Sequence, residues 1–270
     1  MGRKSSAPIA VVVVIASCLA CSILRPRRAK TWRLTLEVGS TEREAVNRTV
    51  SVIEARLDAV GVRGYDVRQD NATTNRIVVD LPNLPDRERL KSLIAAQGKL
   101  ELFEVVSLPS PIPIATYDTK EKANDFMKTL YGSTERHRVL PYVERSATGL
   151  PDNSTKWVIV RLPPIIDGAD LRNAEAMPNR SGGDDYQIAF SLSKTGADKF
   201  GAWTGAHINE YIGVALNDEV KSIAFIKSQI SDSGEINGRF TKQAAEDLAL
   251  VLRSGALPAP IKIVAEESIK

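Results

Sequence analysis

The sequence is poor in the residues on which most enzymes and metalloproteins depend. Of 270 residues, 2 are cysteine and 2 are histidine. Both cysteines, Cys18 and Cys21, lie in an N-terminal apolar segment, so the rest of the chain has no disulfide and no thiol chemistry. With His137 and His207 the only imidazoles, a zinc site is not expected. No Gly-x-Ser-x-Gly elbow, phosphate loop or dinucleotide fingerprint occurs. His207 falls on an expected helix with no acid or nucleophile beside it, the pattern of a surface or capping histidine. Asp218 and Glu219 form a hairpin tip, and the Ser181-Gly-Gly-Asp-Asp185 cluster reads as a solvated turn. Strong charge of one sign is lacking too. Six of the positive residues and no acidic one fall in the first thirty, which turns the formal charge of +3 into −3 for residues 31–270. A slightly acidic folded part carries no nucleic-acid footprint. No cofactor is expected.

What remains is a globular composition, 43% hydrophobic and 26% charged, in a chain long enough for about two domains. Residues 7–24 are apolar and would span about 27 Å as a helix, enough to cross a bilayer. Three outcomes fit: an uncleaved anchor, which fits best, a lipoprotein with Cys18 as the lipidated residue after Ile15-Ala16-Ser17, or a cleaved signal. Flanking charge alone, two positive residues before and four after, keeps the downstream chain in the cytoplasm. Long domains translocate regardless of that count, and export is expected for a reason given below.

Residues 32–38 alternate apolar and polar as a half-buried strand does. Thr41-Glu-Arg-Glu44 reads as a capping box that opens a helix with Val46, Val50, Ile53, Leu57 and Val60 on one face. Strands over 65–69 and 76–81 follow, then a helix from Pro85 with Leu90, Leu93 and Ile94 inward and Gly98 as its stop, then a strand over 100–106. The order is β-α-β-β-α-β, that of ferredoxin-like domains. Residues 108–156, with Pro109, Pro111 and Pro113, read as a linker or insertion holding one helix over 120–131 that Gly132 ends. After it come a strand over 157–162, a helical turn over 168–174, a strand over 186–192, a helix over 195–209 with Phe200, Thr204 and Ile208 on one face, a hairpin around 217–219, a helix and a last strand. The last helix starts at Thr241, carries a stripe of Ala245, Leu248 and Leu252, and stops at Gly255, with Pro258 and Pro260 preventing its resumption. This is a second β-α-β-β-α-β order.

Several stretches match one known family. The run from Gly238-Arg-Phe240 through Gly255-Ala256-Leu257-Pro258-Ala-Pro260 resembles the end of the large periplasmic domain of the SecD family, accessory subunits of the bacterial Sec translocase. Gly168-Ala-Asp170, the segment containing Gly196 and Phe200, Thr204, and Ile212-Gly-Val-Ala-Leu-Asn-Asp-Glu-Val-Lys-Ser222 resemble that domain's head. Residues 53–62 and 76–82 resemble its first part. After Ser222 this chain has Ile223-Ala224 where the family has Ala-Pro. In the family the chain continues into a membrane bundle that carries the proton-coupling charges; here Lys270 follows, which suits a stand-alone homologue or a fragment.

The resemblance implies an α+β protein of two ferredoxin-like units behind an N-terminal segment: 1–30 anchor or signal, 31–107 first unit, 108–156 linker or insertion, 157–270 head. It implies an inner-membrane protein whose folded part lies in the periplasm. Its partners would be unfolded secretory polypeptide and Sec translocon subunits, with no catalysis. The motif positions Gly168, Asp170, Gly196, Phe200, Thr204, Gly238, Phe240, Gly255, Ala256, Leu257 and Pro258 are expected to be structural. An anchored binding module for another envelope protein is the second reading. A small-molecule-binding or hydrolytic ferredoxin-like domain is the third.

Overall fold

The computed structural model describes residues 30–106, 115–132, 135–145, 151–179 and 185–269. The segment 1–29 with Cys18, the proline run at 109–113 and residues 181–184 of the Ser181–Asp185 turn lie outside the described residues. Among those described, no helix is long and apolar enough to cross a membrane.

The chain begins as expected, with β1 (Lys30–Val38), α1 (Arg43–Ala59), β2 (Asp66–Gln69), β3 (Arg76–Pro82) and α2 (Arg87–Ala95). Alternation along β1 buries Trp32, Leu34, Leu36 and Val38, and β3 buries Ile77, Val79 and Leu81, all against the apolar stripe of α1. The capping box does not form. Glu42 is the N-cap of α1 and makes no side-chain cap bond, and its N–H donates to Ser40 Oγ at 3.2 Å. Nor does Gly98 end α2, whose C-cap is Ala96.

The larger correction concerns which strand completes this sheet. Its order is β13-β1-β3-β2, with β13 (Ile261–Ser268) at the edge where the sequence placed residues 100–106. β13 runs antiparallel to β1 from Trp32↔Ser268 to Val38↔Ile261. Neighbouring strands all run antiparallel, and the sheet joins residues 30–82 to residues 261–268.

The strand expected to close it, β4 (Leu100–Val105), belongs to a second sheet. There it joins β5 (His137–Arg145), β6 (Pro151–Arg161), β7 (Ile166–Asp167), β10 (Tyr211–Leu216) and β11 (Glu219–Phe225). An added β10–β4 pairing closes five of these into a ring, β10-β11-β5-β6-β4, around Phe103, Val105, Leu140, Val158, Val160, Ala215 and Val220. The stretch read as a linker therefore supplies barrel strands. Its expected helix, α3 (Lys120–Tyr131), is capped by Thr119, ends at left-handed Gly132, and packs Ala123 and Met127 on Val106, Val139 and Ile159.

A third sheet, in the order β12-β9-β8, is formed by β8 (Leu171–Pro178), β9 (Tyr186–Leu192) and β12 (Ser233–Phe240). The helical turn expected over 168–174 is a single 3-10 turn, Gly168–Asp170, followed directly by β8. α4 (Lys194–Ala206) ends before Ile208, which is exposed and not on the buried face with Phe200 and Thr204.

α5 (Lys242–Ser254) joins these parts. Its N-cap Thr241 accepts from Ala244 N–H as expected. Ala245, Ala249 and Leu252 pack into the core beneath the third sheet, while Leu250 and Val251 meet Leu93 of α2. Arg89 of α2 forks onto Asp247 of α5, with Nη2 2.7 Å from Oδ1.

Between the helices lies a buried cation. Arg56 of α1 is 1% exposed. Its Nη1 donates toward the carbonyls of Leu93, Ile94 and Ala96 at 2.9, 3.0 and 2.5 Å. Nη2 donates to Gly255 O at 3.0 Å and Nε to Ser254 Oγ at 3.3 Å. These groups sit at the C-terminal ends of α2 and α5, where unpaired carbonyls and the helix dipoles favour positive charge. Burial pulls the guanidinium down to about 10, still charged at neutral pH.

On the sheet's outer face Asp80 of β3, itself buried, accepts from Arg33 Nε at 2.6 Å and Arg68 Nη1 at 2.8 Å. The Arg33 hydrogen bond, assisted by Arg68, holds the Asp80 carboxyl below its usual pKa. Its contribution to stability is therefore present above the ordinary aspartate value and lost as pH falls through the depressed one.

Two predictions follow from this framework. Arg56→Lys keeps the charge but cannot fork over two helix ends, and should lower unfolding stability by about 2–3 kcal/mol in urea titration; a loss below about 0.5 kcal/mol would show the fork to be dispensable. The urea midpoint of the parent should drop as pH goes below about 4, and Asp80→Asn should flatten that drop.

Candidate functional site

The motif residues fall into two groups. In the first, the Asp167 carboxylate accepts Ala169 N–H at 2.8 Å and opens the 3-10 turn, while Asp170 reaches back to Asp167 N–H at 3.4 Å. Asp170 is buried, accepts Lys199 Nζ on both oxygens at 2.9 and 3.3 Å, and offers its carbonyl to Ser193 N–H at 2.7 Å. The hydrogen bond to Asp170 holds Lys199 above its usual pKa. Gly196 passes so close that a Cβ there would lie 2.8 Å from the Asp170 Cβ and carbonyl oxygen. One turn on, Phe200 is buried in the core, and Thr204 Oγ1 donates to Phe200 O at 2.8 Å while accepting Ile230 N–H at 2.9 Å. This group locks α4 to the 3-10 turn and to the chain leading into β12. Gly168 itself meets nothing within 4 Å of an added Cβ.

The second group is the passage from α5 to β13. Gly255 has φ 89° and ψ 161°, a positive-φ extended conformation. Only glycine adopts it without strain. Ala256 follows, and then Leu257 turns into the first sheet's core, with its N–H on Gln97 O at 2.9 Å and its carbonyl taking Gln97 Nε2 at 2.7 Å. Pro258 is exposed, Ala259 is buried, and Pro260 O accepts Gly39 N–H at 2.8 Å. Upstream, Gly238 lies where the β12–β9 register shifts between Ile236 and Phe240, and Phe240 packs against the second core.

Other groups were not foreseen. His207 does have acids beside it: ligand-type atoms of Glu104, His207 and Glu210 lie within 4.8 Å of one another. Burial raises the Glu104 pKa, Glu210 adds to the rise, and Arg161 with His207 opposes it. Glu104 stands on β4 a hundred residues before His207, which is why no local pattern joined them. A cleft of about 430 Å³ is lined by Tyr131, Glu135, Arg136, His137 and Arg161. His137 stacks on Tyr131 at 4.3 Å and is lowered in pKa by burial, then by Arg161. Along α3, Phe126, Leu130 and Tyr131 are 38%, 53% and 38% exposed. The helical spacing in the sequence predicts that α3 exists, but not which face meets solvent.

Comparison with known proteins places this fold. The model of the SecDF P1 head subdomain matches residues 142–259. The model of the N-terminal part of the P1 domain of protein translocase subunit SecDF matches residues 46–107. Protein translocase subunit SecD of Koribacter versatilis is 34% identical over 225 residues, covering 83% of this chain and 39% of that protein. SecD of Aquifex aeolicus is 32% identical over 232 residues, covering 86% of this chain and 41% of that one. The chain thus spans 39–41% of the length of these relatives. A solved structure of SecDF, described as a membrane component that enhances protein export, superposes with a TM-score of 0.64 at 25% identity, over 88% of this chain and 100% of that one. SecDF in its super-membrane-facing form gives a TM-score of 0.64 and 25% identity, over 88% of this chain and 30% of that one.

An α+β domain with this arrangement is of the P1 type found in protein translocase subunits. The chain belongs to the SecD family. Both matching models describe P1 domains and neither describes an enzyme.

Gly196→Ala tests the first motif group. In an ordinary helix the change stabilises by up to about 1 kcal/mol. Here the Cβ meets backbone, so thermal melting should show a loss of about 1–3 kcal/mol.

Proposed function

We propose that the chain is the exported part of an inner-membrane protein that holds unfolded polypeptide during Sec-dependent export, by surface binding and without catalysis. In this reading residues 1–30 attach it to the membrane, the folded residues lie in the periplasm, and translocon subunits are its neighbours. Membership of the SecD family supports the setting. The observation that carries the binding role is the rim of α3's buried stripe, where Phe126, Leu130 and Tyr131 stay partly exposed beside Ala123 and Met127, which pack into the core. An extended apolar segment would be attracted to such a strip through the area it removes from water. A second route is the outer edge of β13, an eight-residue strand paired on one side, whose Val264 is 45% exposed. Backbone groups along a free edge accept an added strand of any sequence, which suits a substrate with no fixed side chains.

The test is the binding of a fluorescent, permanently unfolded secretory protein to the full chain in detergent, read as anisotropy. Dissociation constants of about 1–100 μM are expected. Replacing Phe126, Leu130 and Tyr131 together by serine should weaken binding at least about fivefold, equivalent to roughly 1 kcal/mol, in a variant shown to be folded by far-ultraviolet circular dichroism. No binding at about 200 μM would sink the proposal. Copurification with a stable folded envelope partner in place of translocon subunits would favour the anchored-module reading.

A further inference from the structure

The turn that closes α4 brings three ligand-type side chains together. Asn209 takes φ 73° and bonds Ile226 O at 2.8 Å, which sends the chain from His207 straight into β10. Glu210 therefore stands beside the start of β10, and β10 lies against β4 with Ile212 opposite Glu104. Along β4, Leu100 and Leu102 point into the core shared with α4, so the next residue on that face, Glu104, emerges towards the α4 end.

The histidine is set up to ligate. Its Nδ1 lies 2.7 Å from Trp203 O. A carbonyl only accepts, so Nδ1 carries a proton and Nε2 is the ring nitrogen that can ligate. The Trp203 indole stacks on the imidazole at 4.1 Å and 10°, which holds the ring plane. A histidine that donates its other N–H to a backbone carbonyl is the support arrangement behind metal-bound imidazoles. Arg161 engages Glu104 Oε1 at 3.2 Å, and a carboxylate has a second oxygen to offer. Arg161 offsets one of the two carboxylate charges, which leaves the trio negative.

We propose that Glu104, His207 and Glu210 form a three-ligand site for a first-row divalent cation, zinc foremost. A zinc ion bound at about 2.0–2.2 Å holds its ligand atoms about 3.4 Å apart, which side-chain rotation of two glutamates reaches from 4.8 Å. Imidazole with carboxylates favours zinc, cobalt or nickel over magnesium and calcium. Water fills the open position. The ion ties the end of α4, through His207, to β4 of the barrel, through Glu104.

The test uses the full chain with Cys18→Ser and Cys21→Ser, because that cysteine pair would bind the same ions, stripped of metal by chelator. Zinc chloride is titrated by calorimetry and cobalt chloride by visible absorption. About one ion per chain is expected, with a rise in melting temperature on adding zinc. His207→Ala and Glu210→Gln should each weaken binding at least about tenfold and abolish that rise. Both lie in the turn, outside the core, so far-ultraviolet circular dichroism should stay unchanged. Binding that is the same in both variants overturns the proposal, and so does absence of binding at about 100 μM zinc.

Discussion

One buried cation holds the architecture together. Arg56 reaches from α1 into the gap between α2 and α5 and spends its donors on the carbonyl ends of both helices. No carboxylate faces it among the described contacts, so its charge is balanced by helix dipoles and carbonyl oxygens. Burying an ion without such partners would cost several kcal/mol. The site is thus stable only when α1, α2 and α5 are all in place, and it couples the two cores through a single side chain.

The same coupling explains the chain's path. After α2 the polypeptide leaves the first sheet, builds the barrel and the third sheet, and returns through Leu257 to complete the sheet it left. β13 is held there by more than ladder bonds: Glu266 accepts Trp32 Nε1 at 2.9 Å and Lys91 Nζ at 2.9 Å. The β1–β13 pairing joins residues as far apart in sequence as Trp32 and Ser268, and long-range pairing of that kind carries a loop-closure entropy cost.

Much was legible beforehand, and the reasons are local. Apolar spacing located α1, α2, α4 and α5 to within a few residues, and alternation marked β1 as a half-buried strand. Thr241 announced its helix start, Gly132 and Gly255 their helix ends. The wording from Gly238 to Pro260 pointed to the family that the comparisons support. What escaped notice was whatever depends on partners distant in sequence. β5 and β12 were missed because their sequences mix polar and apolar residues that only a partner strand makes coherent, and the 168–174 stretch was misread because hydrogen bonding to β9 overrides its local turn preference. The proposed ligand trio was invisible for the same reason, since Glu104 and His207 meet only through the β4–β10 pairing.

By itself, then, the sequence determined the helices, the strand character of β1 and β3, the stops at Gly132 and Gly255 and the family, because periodicity and capping act over a few residues. Tertiary structure alone decided that β13 and not β4 completes the first sheet, and that residues 137–145 and 151–161 belong to a barrel and residues 120–131 to its covering helix. It also decided that an arginine inside an ordinary helical repeat is the pin between two cores. Strand order and buried polar contacts are set by which surfaces can be covered together, and no window along the chain contains that information.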